Sequence, residues 1–237
     1  MLVHRLLRVA LLGSEWVMWL LLGLSIFSIA AMVERLVYFR RNSGDVDELS
    51  DRLASLLDSD DLDGAEKLLA HSNAIEAQIL LGALYWVKGG AEAFVDAVES
   101  QLGKRKKDLE RGMSLLGTLG SNAPFIGLFG TVIGVINAFH QLGAGAGSKS
   151  SMDNVMAMIG EALVATGFGL FVAIPAVIAY NLVQKRIGEI EGNVASVTKQ
   201  VSAILKAKEH ELKRGRHPRA LANGAHLHTV TVAADAE

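Results

Sequence analysis

Two threonines and a glutamate interrupt runs of residues that otherwise offer almost no polar group. The first run reads Ala123-Pro124-Phe125-Ile126-Gly127-Leu128-Phe129-Gly130-Thr131-Val132-Ile133-Gly134. In a helix, residues about seven apart share a face, because 3.6 residues make one turn. That face holds Gly120, Pro124, Gly127, Thr131, Gly134 and Ala138, small residues with one hydroxyl. A second run opens with Glu161 and carries Thr166 five residues later, with Ala162, Gly169, Ala173, Val177 and Tyr180 on the threonine's face. Hydroxyls in hydrocarbon can hydrogen-bond water or a proton carrier. A carboxylate can also titrate and attract cations, and within a bilayer it costs about 3 kcal/mol unless it faces water or a partner. An intramembrane carboxylate is therefore a functional candidate. Each feature also has a plainer reading. Small residues, including the GxxxG of Gly130 and Gly134, let helices pack closely in lipid. Glu161 in the outer headgroup region would complement a helix N-terminus. His140 either relays protons or simply faces water. Pro124 and Pro175 each fall within an apolar run, where proline frees a backbone carbonyl and kinks the helix.

These residues must be positioned by helices that cross a membrane. The chain is 51% hydrophobic and only 20% charged, with a positive mean hydropathy of +0.33, which is too apolar for an ordinary soluble domain. Three stretches reach the roughly 20 apolar residues that a hydrocarbon core requires. They are residues 16–39, 115–140 and 160–183. Trp16 and Trp19 begin the first, and Tyr38 and Phe39 end it before Arg40 and Arg41, so aromatics mark both interfaces. Glu34 and Arg35 stand where a cleavable signal would have small residues, so this span reads as an anchor.

Lys and Arg fix the expected orientation. Two precede the first span, eleven run from Arg35 to Arg111, one (Lys149) lies between the second and third, and nine follow the third. Cytoplasmic flanks are enriched in these residues. Residues 1–15 and the loop 141–159 are therefore expected outside, and the loop 40–114 and the chain after residue 183 inside. A net charge of −2 gives no basic field for nucleic acid. Without cysteine there is no disulfide, thiolate nucleophile or Cys-ligated metal. No enzymatic nucleophile or second carboxylate accompanies Glu161 in sequence, so an acid–base enzyme finds little support, and no cofactor is expected.

The inner loop carries helical spacing in Leu49, Leu53, Leu56 and Leu57, then in Leu62, Ala65, Leu68 and Leu69. It reads as short amphipathic helices. From Ala91 the pattern runs through Lys104 to Lys107 into the second span without a proline, and the third span continues through residues 184–212. Both spans are thus expected to extend into the cytoplasm as long helices. Residues 213–237 lack helical periodicity and are expected to be disordered, their His217, His226 and His228 solvated in preference to binding metal. The fold class is an all-α membrane protein with three transmembrane helices.

The residues 123–134, followed by Asn137 and Phe139, resemble the second-span signature of the ExbB/TolQ/MotA family. Gly160-Glu161-Ala162-Leu163-Val164-Ala165-Thr166, then Gly169-Leu170 and Ala173-Ile174-Pro175-Ala176, are similar to the third. The resemblance covers about a quarter of the chain, and the three-span layout agrees with the ExbB and TolQ branch; the fourth span and larger cytoplasmic domain of the MotA branch are missing. It implies a bacterial inner-membrane homopentamer, a pentameric helical bundle whose second and third helices line a pore. Within that pore the resemblance makes Thr131, Thr166 and Glu161 the polar residues. It further implies an ExbD/TolR-like single-span partner with a membrane aspartate, and a TonB/TolA-like or other envelope protein that receives the force. The function implied is a proton-driven motor for import, envelope maintenance or gliding; the alternative is a non-conducting scaffold of such a complex.

Overall fold

The structure, a computed structural model, describes residues 15–144 and 149–222. Its helices are α1 (Glu15–Arg41), α2 (Val46–Asp58), α3 (Leu62–His71), α4 (Ile75–Ala83), a 3-10 turn (Leu84–Gly89), α5 (Ala91–Leu109), α6 (Met113–Ala144) and α7 (Lys149–Ala222). No strand occurs among the described residues. α1, α6 and α7 are long and apolar enough to cross a membrane, as the hydropathy predicts. The protein is an all-α membrane protein. Its chain divides into two compact units, one of residues up to Arg41 with Lys107–Glu189, the other of Asn42–Lys106 with the residues from Ile190 onward.

In the first unit, Val17 and Leu21 of α1, Ala123 and Ile133 of α6, and Val172 and Ala173 of α7 form a buried cluster, with Ile126 and Phe168 packed against it. Trp16 meets the ring of Phe129 edge-on at 6.2 Å. The opposite side of α1 exposes Trp19, Ile26, Phe27, Ile29 and Val33. That is the pattern of a helix whose outer face is solvated by lipid.

Arg35 departs from it. Although it lies on a membrane helix, only 3% of it is exposed. One guanidinium nitrogen donates to the Asp108 carbonyl at 2.9 Å, another to Glu34 Oε1 at 2.8 Å, and the group lies 5.1 Å from the centre of the Tyr38 ring. Asp108 is in the last turn of α5, where backbone carbonyls lack intrahelical partners. Arg35 supplies one.

Four boundaries differ from the sequence reading. The expected continuous helix from Ala91 into the second span is broken at Glu110, Arg111 and Gly112, with Gly112 at φ +77° and Met113 N–H donating to the Glu110 carbonyl at 3.0 Å. A left-handed residue stops the α-helical ladder, and glycine adopts it at no steric cost. Helix occupies most of the outer loop expected over 141–159, since α6 runs to Ala144 and α7 already begins at Lys149. α1 likewise begins at Glu15 and ends at Arg41. Finally, helix persists to Ala222 through a stretch expected to be disordered from Lys213. The helix continues through Gly215 and Pro218, which the missing periodicity of that stretch does not signal. The leader to residue 14, His226, His228 and the His217 side chain lie outside the described residues.

The second unit is built by short capped helices. Asp45 accepts from Glu48 N–H at 3.1 Å at the start of α2, and Asp61 from Gly64 N–H at 2.8 Å at the start of α3. Between them Asp60 takes a left-handed φ of +60°. Lys208 of α7 holds that turn, donating to the Leu57 carbonyl at 2.7 Å and to Asp60 Oδ1 at 2.6 Å. Of the periodic positions of the sequence, Leu49, Leu53, Leu57, Ala65 and Leu69 are buried, and Leu56, Leu62 and Leu68 are half-buried. So is Glu76, whose Oε1 accepts from Asn193 at 3.1 Å. Asp61→Ala should release the Gly64 amide at a cost of about 1 kcal/mol. Hydrogen exchange over Leu62–His71 is then expected to quicken about fivefold, and unchanged exchange would mean that the cap contributes nothing.

Candidate pore face of α6 and α7

The small residues of α6 and α7 meet each other. A β-carbon on Gly127 would stand 2.7 Å from the Ala165 carbonyl oxygen and 3.1 Å from the α-carbons of Thr166 and Gly169. One on Gly169 would stand 2.7 Å from the Ala123 carbonyl oxygen. Gly134 faces Ala162 in the same way, Gly120 faces Val177, and Gly117 faces the Tyr180 ring. Gly130 touches both Ala165 and Val17, so the GxxxG of α6 brings three helices together. Partner numbers fall on α7 as they rise on α6. The helices run antiparallel, with their backbones in contact where neither bears a side chain.

This register settles the positions of the candidate residues. Gly130 lies opposite Ala165 and Gly127 against Thr166 and Gly169, so Thr131 and Thr166 lie within about one helical turn of each other along the axis. Thr131 is half-buried, and its hydroxyl donates to the Leu128 carbonyl of its own helix at 2.7 Å. Thr166 differs. Its hydroxyl oxygen is buried and has no hydrogen-bond partner among the described residues. Leaving such a group unsatisfied costs about 1–3 kcal/mol. Glu161 is exposed on α7, five residues or about 7.5 Å along the axis from Thr166, and adjoins the Ala162 that packs on Gly134. His140 is exposed, six residues beyond Gly134.

Pro124 and Pro175 are half-buried inside α6 and α7, where they leave the carbonyls of Gly120 and Phe171 without their usual helical donors. Of the face selected by periodicity, Gly120, Gly127, Gly134 and Ala138 are buried, while Pro124 and Thr131 lie at its edge. Most of the stripe is therefore spent on packing within one chain. On the remaining surface, Phe125, Leu128, Phe129, Val132 and Phe139 of α6 and Leu163, Val164, Phe171, Ile174 and Ile178 of α7 are exposed.

Periodicity missed Arg35 and the burial of Asn137. The signal for Arg35 was present, since an ionisable residue within a span implies a partner. Asn137 is 8% exposed and stands on the α7-facing side with Gly134 and Ala138. Among the described residues no three His, Asp or Glu side chains form a metal-binding group.

Residues 71–196, just over half of the chain, match the MotA/TolQ/ExbB proton channel family. The match includes Thr131, Glu161 and Thr166. The chain is 31% identical over 193 residues to the biopolymer transport protein ExbB of Pseudomonas putida, an alignment covering 80% of this chain and 55% of that one. It is 38% identical over 119 residues to the Tol-Pal system protein TolQ of Pseudomonas aeruginosa, covering 50% and 51%. With ExbB of Xanthomonas campestris pv. campestris the identity is 48% over 93 residues, covering 39% and 36%. The chain spans about half or less of the length of these relatives.

Proposed function

Because this chain belongs to the MotA/TolQ/ExbB proton channel family, we propose that it is the ExbB/TolQ-like subunit of a motor in the bacterial inner membrane, driven by the proton-motive force. Copies of the chain, five by the family resemblance, enclose a single-span partner of the ExbD/TolR type that carries a membrane aspartate. The N-terminus is periplasmic and the end of α7 cytoplasmic, a reading supported by the distribution of Lys and Arg. A TonB/TolA-like or other envelope protein receives the force.

The observation that carries this reading is the Thr166 hydroxyl, buried and unsatisfied within about a helical turn of Thr131. Such a hydroxyl awaits a water or a partner's polar group. The two spans that bear the threonines contain no acidic residue besides Glu161. The chain alone therefore has no mid-membrane carrier on this path, and the partner's aspartate supplies it. Protonation of that aspartate removes a charge from the bundle and allows the partner helix to turn against the two threonines. Each elementary charge crossing the potential releases about 2.3 kcal/mol per 100 mV, so a few protons suffice to repack a helix interface. With the partner's aspartate as carrier, a proton needs only that titratable group and a hydrogen-bonded path, and it requires no full shell of oxygen ligands as sodium would. Protons are the fitting ion. Glu161, exposed toward the outer end of α7, concentrates cations at the entrance.

Thr131→Val with Thr166→Val keeps shape and removes both hydroxyls. Proton flux through vesicles holding chain and partner should fall at least tenfold, while the complex still co-purifies. Glu161→Gln should also lower flux, more weakly if it only concentrates cations. Full flux in the double variant would reduce the threonines to packing. A complex that assembles but never conducts, in wild type as in variants, would make the chain a scaffold.

A further inference from the structure

The inner end of α1 carries a second feature, unrelated to the pore. Ile29, Val33 and Val37 are exposed at intervals of four residues, and the next position in that series is Arg41, also exposed. Residues four apart lie along one stripe of a helix. From Ile29 to Arg41 the stripe is about 18 Å long, close to the depth of one leaflet. It is an apolar rail that ends in a cation.

The last turns of α1 carry Arg35, Arg40 and Arg41, and the segment that Arg35 holds through the Asp108 carbonyl carries Lys107 and Arg111, together outnumbering the acidic Glu34, Asp108 and Glu110. The bond from Arg35 to the Asp108 carbonyl brings the end of α5 and the turn before α6 against α1. Arg35 is engaged by that carbonyl and by Glu34, and Arg40 has its own partner within the chain. Arg41, Lys107 and Arg111 are different. All three are exposed, and none has a hydrogen bond or ion pair with another described residue, although Arg111 lies within electrostatic reach of Glu34.

We propose that this junction binds the headgroup of an anionic phospholipid of the inner leaflet, its acyl chain lying along Ile29, Val33 and Val37. The charge complementarity selects the occupant. A zwitterionic lipid balances its phosphate with its own ammonium group, whereas an anionic one leaves a full charge for Arg41, Lys107 and Arg111. A soluble polyanion would use the cations and leave the rail uncovered. Bound there, the lipid ties α1 to the turn at Gly112 from the membrane side, as Arg35 does from within.

The test uses the purified full chain in nanodiscs of palmitoyl-oleoyl phosphatidylcholine with increasing palmitoyl-oleoyl phosphatidylglycerol, retained lipid being counted by native mass spectrometry. Wild type should retain phosphatidylglycerol well above its bulk fraction. A cation at an anionic surface is worth about fivefold in binding, so Arg41→Gln, Lys107→Gln and Arg111→Gln together should weaken retention about a hundredfold. The conservative set Arg41→Lys, Lys107→Arg and Arg111→Lys should keep most of it. Removing three exposed lysines elsewhere, Lys67, Lys199 and Lys206, changes net charge equally and should change nothing. Equal losses in the two Gln sets would overturn the site in favour of bulk charge. Displacement of the lipid by millimolar inorganic phosphate would overturn the lipid assignment and leave a simple anion site.

Discussion

Gly127→Val should prevent the first unit from packing, with a loss of about 3 kcal/mol or more. The reason is the nature of what the new side chain meets. Its β-carbon would fall 2.7 Å from a carbonyl oxygen and 3.1 Å from two α-carbons of α7, which are backbone and cannot rotate away. Overpacking where side chains can adjust costs about 1–3 kcal/mol, and here nothing adjusts except the helices themselves. Even Gly127→Ala and Gly169→Ala should be clearly destabilising. Gly167→Ala supplies the control, because nothing lies within 4 Å of the β-carbon it would add. There the ordinary helix preference for alanine operates, and stability should rise by up to about 1 kcal/mol. Denaturant unfolding in detergent, followed through the fluorescence of Trp16 against Phe129, measures all four. Opposite signs at positions 127 and 167 are the expected result. A tolerated Gly127→Ala would mean that the helices are not in backbone contact.

The second large effect is expected at Arg35. Arg35→Met keeps much of the apolar stem and the volume but removes the hydrogen bonds to the Asp108 carbonyl and to Glu34. Glu34 is largely exposed and can be rehydrated, so the loss falls mainly on the carbonyl and on the packing over Tyr38. About 2–4 kcal/mol is expected, below the full cost of breaking a wholly buried ion pair. The damage should be local. Hydrogen exchange at the end of α5 and through the turn to Met113 should quicken, while α2 and α3 keep their protection. Unchanged exchange there would show that Arg35 orients α1 without holding it.

The three spans were legible in the sequence because hydropathy reports the solvent, and lipid imposes the same requirement along some 20 residues at a time. The small-residue stripes were legible as well, since the 3.6-residue period that selected Gly120, Gly127 and Gly134 is the period at which α6 presents them to α7. Their partners were not legible. Nothing in the spacing says whether a glycine meets another copy or a helix of its own chain, and the register from Gly117 to Gly134 supplies the second answer. Gly112 escaped notice because apolar periodicity continues on both sides of it. Only the backbone conformation, invisible in composition, ends the helix there. Arg35 was read with the basic flank of its span, where sequence alone makes it one cation among several. Its burial depends on Asp108, seventy-three positions away.

The antiparallel register has one further consequence. Residues 123–139 of α6 contain no polar side chain except Thr131 and Asn137, and residues 162–179 of α7 none except Thr166. With the threonines within about a turn of each other and Asn137 buried toward α7, any ring of copies that turned the exposed faces inward would have one narrow wettable girdle with long oily collars above and below. Water confined between apolar walls at helix spacing tends to evaporate from them, and a dewetted lumen blocks ions without a gate. Such a ring would hold its membrane's voltage when empty and would admit protons only along the polar surface of a helix inserted through it. The insulation would come from what the faces lack.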